Sequence, residues 1–384
     1  MEKWKEIRTL TELKTILENC ERVSLYGAGF YLGVFLSEIQ SMNSGLLSKV
    51  KQILVTSKDE NKDIICGIPV REVSSVELSI FDTVFFTLGD RFVPDVYDTL
   101  KASGATMYRL DFNMFQREPY ENTKKQLQEY IEGFPDNVSG KNLPEEGFES
   151  TVWVFWWQGL DEAPEMIKAC VESQRKNLPA GFRQIIITKN NYKDYIFVPD
   201  HIMEKVEKGF ITFTTLSDIF RVTLLYRYGG FWMDATLLVL KPLPDNILNY
   251  SIYTRNLPEV QYCTNVMWAD WFIFAKKGNK LFQFVMEAFY YYYSKYDKIQ
   301  YYFTIDYFIA IACNEFKDVE FELKKIPYNN ERALELCKHL TETFQEDRYK
   351  AYISESFVQK LTYKINWGNK NHCNTIYEYI VYGG

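Results

Sequence analysis

The sequence predicts an α/β fold divided into two domains of unequal size. Short β-rich runs alternate with segments of helical period, and a stretch dense in Pro, Gly, Asn and Glu at 134–150 separates two such series. The third observation is residues 217–242, SDIFRVTLLYRYGGFWMDATLLVLKP, where a helix, a glycine pair and two strands bring polar residues toward one place. The 384 residues are 47% hydrophobic and 25% charged, enough for a core in each domain.

Residues 1–115 read as the smaller domain. A helix at 10–19 precedes a buried strand at 23–26, which runs into Gly27, Gly29 and Gly33 and then a helix to about residue 40. Strand, glycine turn and helix in that order open a Rossmann-like domain, with backbone N–H groups facing a phosphate site. A strand at 50–56 leads to Ser57-Lys58-Asp59, where Asp59 is placed to meet a ribose. Residues 66–70 and strands at 83–88 and 107–110 continue the alternation. The glycine spacing is GxGxxxG, and no second fingerprint follows, so structural or docking use outweighs dinucleotide binding.

Residues 116–150 read as a connector, a charged helix at 121–132 followed by loop, and 151–384 as the larger domain. Its first strand, TVWVFWW at 151–157, opens onto Gln158-Gly159, and a helix starts at Ala163-Pro164 with proline in its first turn. Alternation assigns one of Trp156 and Trp157 to the core and leaves the other to face a ligand. A strand at 183–189 ends in Asn190-Asn191-Tyr192, which suits a ligand contact or an ordinary turn equally. A short helix at 199–208 leads to the central stretch.

There, Leu216, Ile219, Phe220 and Leu224 recur at three- and four-residue steps, an amphipathic helix that Gly229-Gly230 stops. Phe231-Trp232-Met233 reads as a short buried strand ending at Asp234, and 236–240 as a second strand. Asp218 and Arg221 share a helix face, and the glycine turn brings Asp234 back toward it. A carboxylate beside an acid and a guanidinium suits a polyhydroxylated, phosphorylated ligand: the carboxylate holds a hard cation or hydroxyls, the guanidinium several oxygens. The plain alternatives are a capping box from Thr215 to Asp218, a surface ion pair between Asp218 and Arg221, and a turn role for Asp234.

Beyond it, Asn265, Trp268, Asp270 and Trp271 fall where acceptor or sugar contacts are expected. A helix at 281–296 carries tyrosines at 290–293, which cannot share a face. Some should be exposed, open to a membrane interface or a partner as well as to packing. Asp306 is the lone acid near the start of an apolar helix, where it wants a partner or complements the helix dipole.

The run S-D-x-x-R, then L-L-Y-x-Y-G-G-x-W-x-D-A-T, closely resembles the capsular polysaccharide synthesis glycosyltransferases, relatives of the DXD-containing sugar transferases. The resemblance covers roughly 150–384 and extends to Y-F-x-I-D-Y around Asp306 and K-L-T-x-K at 360–364. It implies a GT-A type nucleotide-diphospho-sugar transferase domain behind the smaller one. The smaller one itself resembles Rossmann-like domains at the front of some bacterial sugar-modifying enzymes. The implied activity moves a sugar, with retention of configuration, from a nucleotide-diphosphate donor to a growing capsular or surface polysaccharide or lipid-linked oligosaccharide. A UDP-sugar is the default donor.

By the same resemblance Asp234, Asp218, Arg221 and Asp306 are the implied catalytic residues. Trp156, Trp157, Gln158, Asn190, Gly229, Gly230, Thr236, Lys360 and Lys364 are implied donor contacts, the two lysines neutralising the departing diphosphate. The implied cofactor is a divalent metal, Mn2+ or Mg2+, at Asp234. Thr236 stands where the broader superfamily has its second acid; a hydroxyl is a weaker ligand, so metal affinity is expected to be low or the missing ligand to come from elsewhere.

A net charge of −7, from 44 basic and 51 acidic residues, argues against broad nucleic-acid binding. The seven cysteines are scattered with no CxxC pair, and none of the three histidines (201, 339, 372) stands at metal-ligand spacing. That pattern, the lack of a signal peptide and the lack of a membrane-length apolar run lead to the expectation of a cytoplasmic protein, peripheral contact at the inner face of the membrane being left open. Two other functions stay open: a non-catalytic sugar-binding or scaffold protein, with Thr236 as a sign of decay, and an NAD-dependent sugar-nucleotide oxidoreductase led by the first domain.

Overall fold

Runs of β-branched and aromatic residues in the first 119 positions become seven strands. They are β1 (Lys5–Ile7), β2 (Val23–Tyr26), β3 (Val50–Val55), β4 (Ile64–Ile65), β5 (Ile68–Glu72), β6 (Thr83–Phe86) and β7 (Thr106–Leu110). The sheet order is β1-β7-β6-β2-β3-β5-β4, parallel throughout except for the β4–β5 hairpin. Both faces are apolar, as a parallel sheet between helices requires. Phe85 packs with Leu13 and Phe35 from the helices Leu10–Asn19 and Phe30–Met42, whereas Val84 and Phe86 pack with Val96 and Leu100 of the helix Val93–Leu100.

The computed structural model describes all residues except 1–3, 43, 59–62, 81, 90–91, 136–142, 144–148, 258–267, 302, 366–372 and 384, and the side chains of 30, 41, 42 and 44. Asp59, Asn265 and His372 therefore lie outside the described residues. The chain divides into two units, Met1–Pro119 and Tyr120–Gly384. Within the stretch read as a connector, helices run over Met114–Gln126 and Gln128–Gly133.

The second unit adds β8 (Thr151–Phe155), β9 (Arg183–Ile187), β10 (Gly230–Met233), β11 (Leu237–Val239), β12 (Ile252–Thr254), β13 (Phe272–Ala275) and β14 (Val358–Lys360). Five of them form a mixed sheet of order β12-β13-β10-β8-β9, in which β8 is parallel to both β9 and β10 and β13 is antiparallel to β10. β11 and β14 form a separate antiparallel pair. The carboxyl ends of β8 and β10 thus lie side by side, which is where an α/β sheet presents ligand contacts.

The helix Phe213–Tyr228 departs from the amphipathic expectation: eleven of its sixteen residues are buried. A helix that is apolar nearly all round belongs inside. The helix Lys280–Lys295 packs against it, with the Tyr290 hydroxyl 3.1 Å from Thr223 Oγ1. The tyrosine run at 290–293 is packing rather than surface. Tyr292 and Tyr293 are buried, Tyr290 and Tyr291 half-buried, and the Tyr291 hydroxyl donates to Glu129. Among the described residues no helix is long and apolar enough to cross a membrane.

Gly229 and Gly230, with φ of +72° and +88°, turn that helix into β10. A Cβ on Gly230 would lie 2.3 Å from the Thr151 carbonyl oxygen, and one on Gly229 2.7 Å from Lys277 N. Only glycine satisfies both the backbone angle and the approach. Gly230→Ala should therefore lower the melting midpoint, at a cost of at least about 1–3 kcal/mol from the backbone strain alone. Gly133→Ala, where a Cβ meets nothing within 4 Å, should leave the midpoint nearly unchanged. Equal midpoints for the two variants would contradict this account of the glycine pair.

Candidate functional site

β10 delivers Asp234 to the carboxyl edge of the sheet, where a turn closes through Leu237 N donating to the Asp234 carbonyl at 2.9 Å. The turn is pinned from below. The buried Gln174 amide, on the helix Glu165–Lys176, donates at 2.9 Å to the carbonyls of both Asp234 and Leu237. Gln174 is itself held by Gln184 at 3.1 Å. Trp232 lies two residues before Asp234 and so on the same strand face. Its Nε1 donates to Asp234 Oδ1 at 2.9 Å.

The facing group comes from the Phe213–Tyr228 helix. Its N-cap is Thr212, whose hydroxyl accepts from Thr215 N at 3.2 Å, so the Thr215–Asp218 capping box does not form. Asp218 and Arg221 point inward instead, and Arg221 is only 3% exposed. Its guanidinium reaches Asp218 Oδ1 at 3.0 Å, Asp270 Oδ2 at 2.8 Å and Asp234 Oδ1 at 3.2 Å, and lies over the Trp232 ring at 5.1 Å. The surface-pair reading is overturned by this burial, and the energetics change with it. An exposed pair contributes about 0–1 kcal/mol, whereas removing one partner of a buried one costs about 3–5 kcal/mol.

A second cation, Lys360 at the end of β14, donates to Asp234 Oδ2 and, at 2.8 Å, to Thr236 Oγ1. Asp306 completes the group from the first turn of the helix Thr304–Glu315. Burial pushes the carboxyls of Asp234, Asp218 and Asp306 up, but the outcome differs with the partner. For Asp234, Lys360 and Arg221 outweigh burial and hold the pKa at about 2. For Asp218, burial and the neighbouring Asp270 and Asp234 outweigh Arg221 and raise it to about 7. Asp306 is raised well above the usual carboxylate range by burial and by Asp270 and Asp218.

These residues face a cavity of about 710 Å3, within the range of small-molecule sites. Of the residues singled out in the sequence, Trp156, Trp157, Gln158, Asp218, Arg221, Asp234, Thr236, Asp306 and Lys360 line it. Both tryptophans reach it because β8 ends at Phe155, so strand alternation does not extend to them; Trp153 is the fully buried tryptophan of that strand. Four residues do not join the cavity. Asn190 is exposed on the turn after β9, and Lys364 is exposed with Nζ 5.7 Å from the Tyr363 ring centre. Gly229 and Gly230 sit at the opposite end of β10 from Asp234, where their role is the turn.

Asp270 and Trp271 enter with definite positions; Trp232 and Phe303 stand in the quoted motifs without an assigned role, and Phe213 and Tyr363 are cavity residues the motifs did not mark. The W-x-D spacing was the available signal for Trp232. Nothing local marked Phe213, which like Phe303 is 47% exposed at the cavity wall.

The donor set at Asp234 and Thr236 does not fit a divalent cation as it stands. Asp234 Oδ1 accepts from Trp232 and Arg221, Oδ2 accepts from Lys360, and the Thr236 hydroxyl accepts from the same ammonium. Among the described residues no three His, Cys, Asp or Glu side chains are grouped to hold a metal.

The model of a family described as capsular polysaccharide synthesis protein matches residues 107–380, well over half of the chain. No curated protein matches the chain.

The raised Asp218 makes stability depend on pH in a fixed direction. Between about pH 4, where the unfolded carboxyl titrates, and about 7, the folded chain holds the extra proton, so this residue's contribution falls as pH rises through that window. Asp218→Asn removes the ionisation. Its melting midpoint should rise relative to the unsubstituted chain as pH is raised across the window; a difference that is flat or falls with pH would contradict the assignment.

Proposed function

The chain belongs to the capsular polysaccharide synthesis protein family, and from that premise we propose that its cavity is the donor site of a glycosyltransferase. The enzyme moves a sugar from a nucleoside diphosphate, a UDP-sugar by default, to a growing capsular or surface polysaccharide or a lipid-linked oligosaccharide. The observation that carries this reading is Asp234 clamped between Arg221 and Lys360 at the floor of an aromatic-walled cavity.

Each part of that cavity has a counterpart in a nucleotide sugar. Trp156, Trp157, Phe213 and Tyr363 offer ring faces to a base and a pyranose. Trp156 Nε1 is a buried donor with no partner among the described residues. Asp218, Asp270 and Asp306 accept from sugar hydroxyls and fix the ring's orientation. Arg221 acts through them as a positioning residue, its terminal nitrogens already committed to three carboxylates. Retention of configuration then has the acceptor attack on the face the diphosphate leaves, with no side-chain nucleophile.

The folds support the same reading. In the first unit the order β5-β3-β2-β6-β7, with the earliest of these strands central, is that of a doubly wound dinucleotide-binding sheet, and we read it as Rossmann-like. We read the larger unit as GT-A type, since the carboxyl ends of the parallel neighbours β8 and β10 face the cavity. We place the protein in the cytoplasm, working at the inner face of the membrane where a lipid-linked acceptor would be.

The test is a thermal-shift and donor-hydrolysis screen of the full chain against UDP-glucose, UDP-galactose, UDP-N-acetylglucosamine and GDP-mannose. At least one should raise the melting midpoint and be slowly hydrolysed, and Asp234→Ala should cut that hydrolysis by roughly a hundredfold or more. Indifference to every donor, or an Asp234→Ala protein as active as the unsubstituted one, would leave a sugar-binding scaffold instead.

A further inference from the structure

Asp234-Ala235-Thr236 offers one carboxylate and one hydroxyl, and a single side chain from another strand takes both. β14 pairs antiparallel with β11 in a register that sets Lys360 opposite Leu237. Two backbone hydrogen bonds lock this in place: Leu361 N donates to the Thr236 carbonyl at 2.9 Å, and Lys360 N to the Ala333 carbonyl at 2.7 Å. The ammonium consequently bridges the first and third residues of the turn, the position of a cation that both would ligate. One oxygen each of Asp270 and Asp218, Oδ2 and Oδ1, is turned to Arg221.

Lys360 and Arg221 are the cations among the described residues lining the cavity. Arg221 has its terminal nitrogens on three carboxylates. Lys360 has two of its three N–H bonds engaged among the described residues, which leaves one for a ligand oxygen. Thr236 matters to this arrangement. A second acid there would draw a divalent ion; a hydroxyl accepts one hydrogen bond from the lysine and adds no charge that would call for more than the lysine supplies.

We propose that the Lys360 ammonium takes the place of the divalent cation: it binds the donor's diphosphate and carries the charge that develops as the sugar leaves, so transfer proceeds without a metal ion. The inference rests on the glycosyltransferase reading above. In the step, the bond from the anomeric carbon to the diphosphate oxygen breaks with its electron pair on that oxygen. The acceptor hydroxyl oxygen bonds to the anomeric carbon, and its proton passes to the departing phosphate. Lys360 keeps its own proton throughout and acts as a fixed positive charge aimed at the oxygen where negative charge builds.

The test is donor hydrolysis by the full chain with the four nucleotide sugars named above, each measured in EDTA and in Mn2+. The unsubstituted chain should hydrolyse its donor equally fast in both media. Lys360→Ala should lose about a hundredfold to a thousandfold, and Lys360→Arg should retain part of the activity. Lys360→Ala combined with Thr236→Asp should recover activity in Mn2+ only. Hydrolysis by the unsubstituted chain that vanishes in EDTA and returns with Mn2+ overturns the inference while leaving the transferase reading intact, and this comparison stands even if a variant fails to fold. Lys360→Ala as fast as the unsubstituted chain also overturns it. No hydrolysis of any donor in either medium takes down the transferase reading and the inference together.

Discussion

The larger unit is built around a buried guanidinium. Arg221 holds Asp218 from its own helix, Asp234 from the end of β10 and Asp270 from the approach to β13. Three separate elements are thereby fixed at one point by charge-assisted hydrogen bonds, and removing a partner leaves a buried charge less well compensated. A charge this deep is expensive, and a packing explanation alone would favour apolar residues at these positions. Their presence is intelligible when the carboxylates serve a ligand and the arginine keeps them from drifting apart.

That constraint explains the surrounding architecture. The Phe213–Tyr228 helix must run inside the unit to place Arg221 there, so it is covered on nearly every side and its ends need special chemistry. Thr212 caps the start, and Gly229-Gly230 reverse the chain against the Thr151 carbonyl at the finish. The Gln174 amide fixes the turn that follows Asp234, and Trp232 fills the space beneath the guanidinium while donating to the same carboxylate. The supports of the site are buried secondary structure.

Much of this was legible in the chain. The strand at 23–26, the strand read at 231–233 and found at Gly230–Met233, and the helix at 10–19 follow from apolar runs and glycine punctuation, which are local signals. Asp218, Arg221 and Asp234 could be brought together on paper because one helix face and one tight turn join them. Asp270 could be named but given no role, since only tertiary structure returns it to Arg221 from forty-nine positions away. Lys360 was marked by a terminal motif, yet its bond to Asp234 spans 126 positions and depends on the β11–β14 register. Gly229 and Gly230, grouped in sequence with the ligand contacts, lie at the far end of their strand: adjacency in a motif is not adjacency in space. The tyrosines at 290–293 likewise found cover that no helical-wheel argument could supply, because it comes from elements distant in the chain.

The central claim is that this cluster receives the diphosphate of an activated sugar, with Lys360 as the group that meets it. A crystal structure of the full chain with UDP bound tests that most directly. The account predicts phosphate oxygens within hydrogen-bonding distance of Lys360 Nζ, the base against Trp156 or Trp157, and Arg221 still holding its three carboxylates. A diphosphate bound away from this cavity, or tied to Asp234 through a metal ion with Lys360 turned aside, would contradict it.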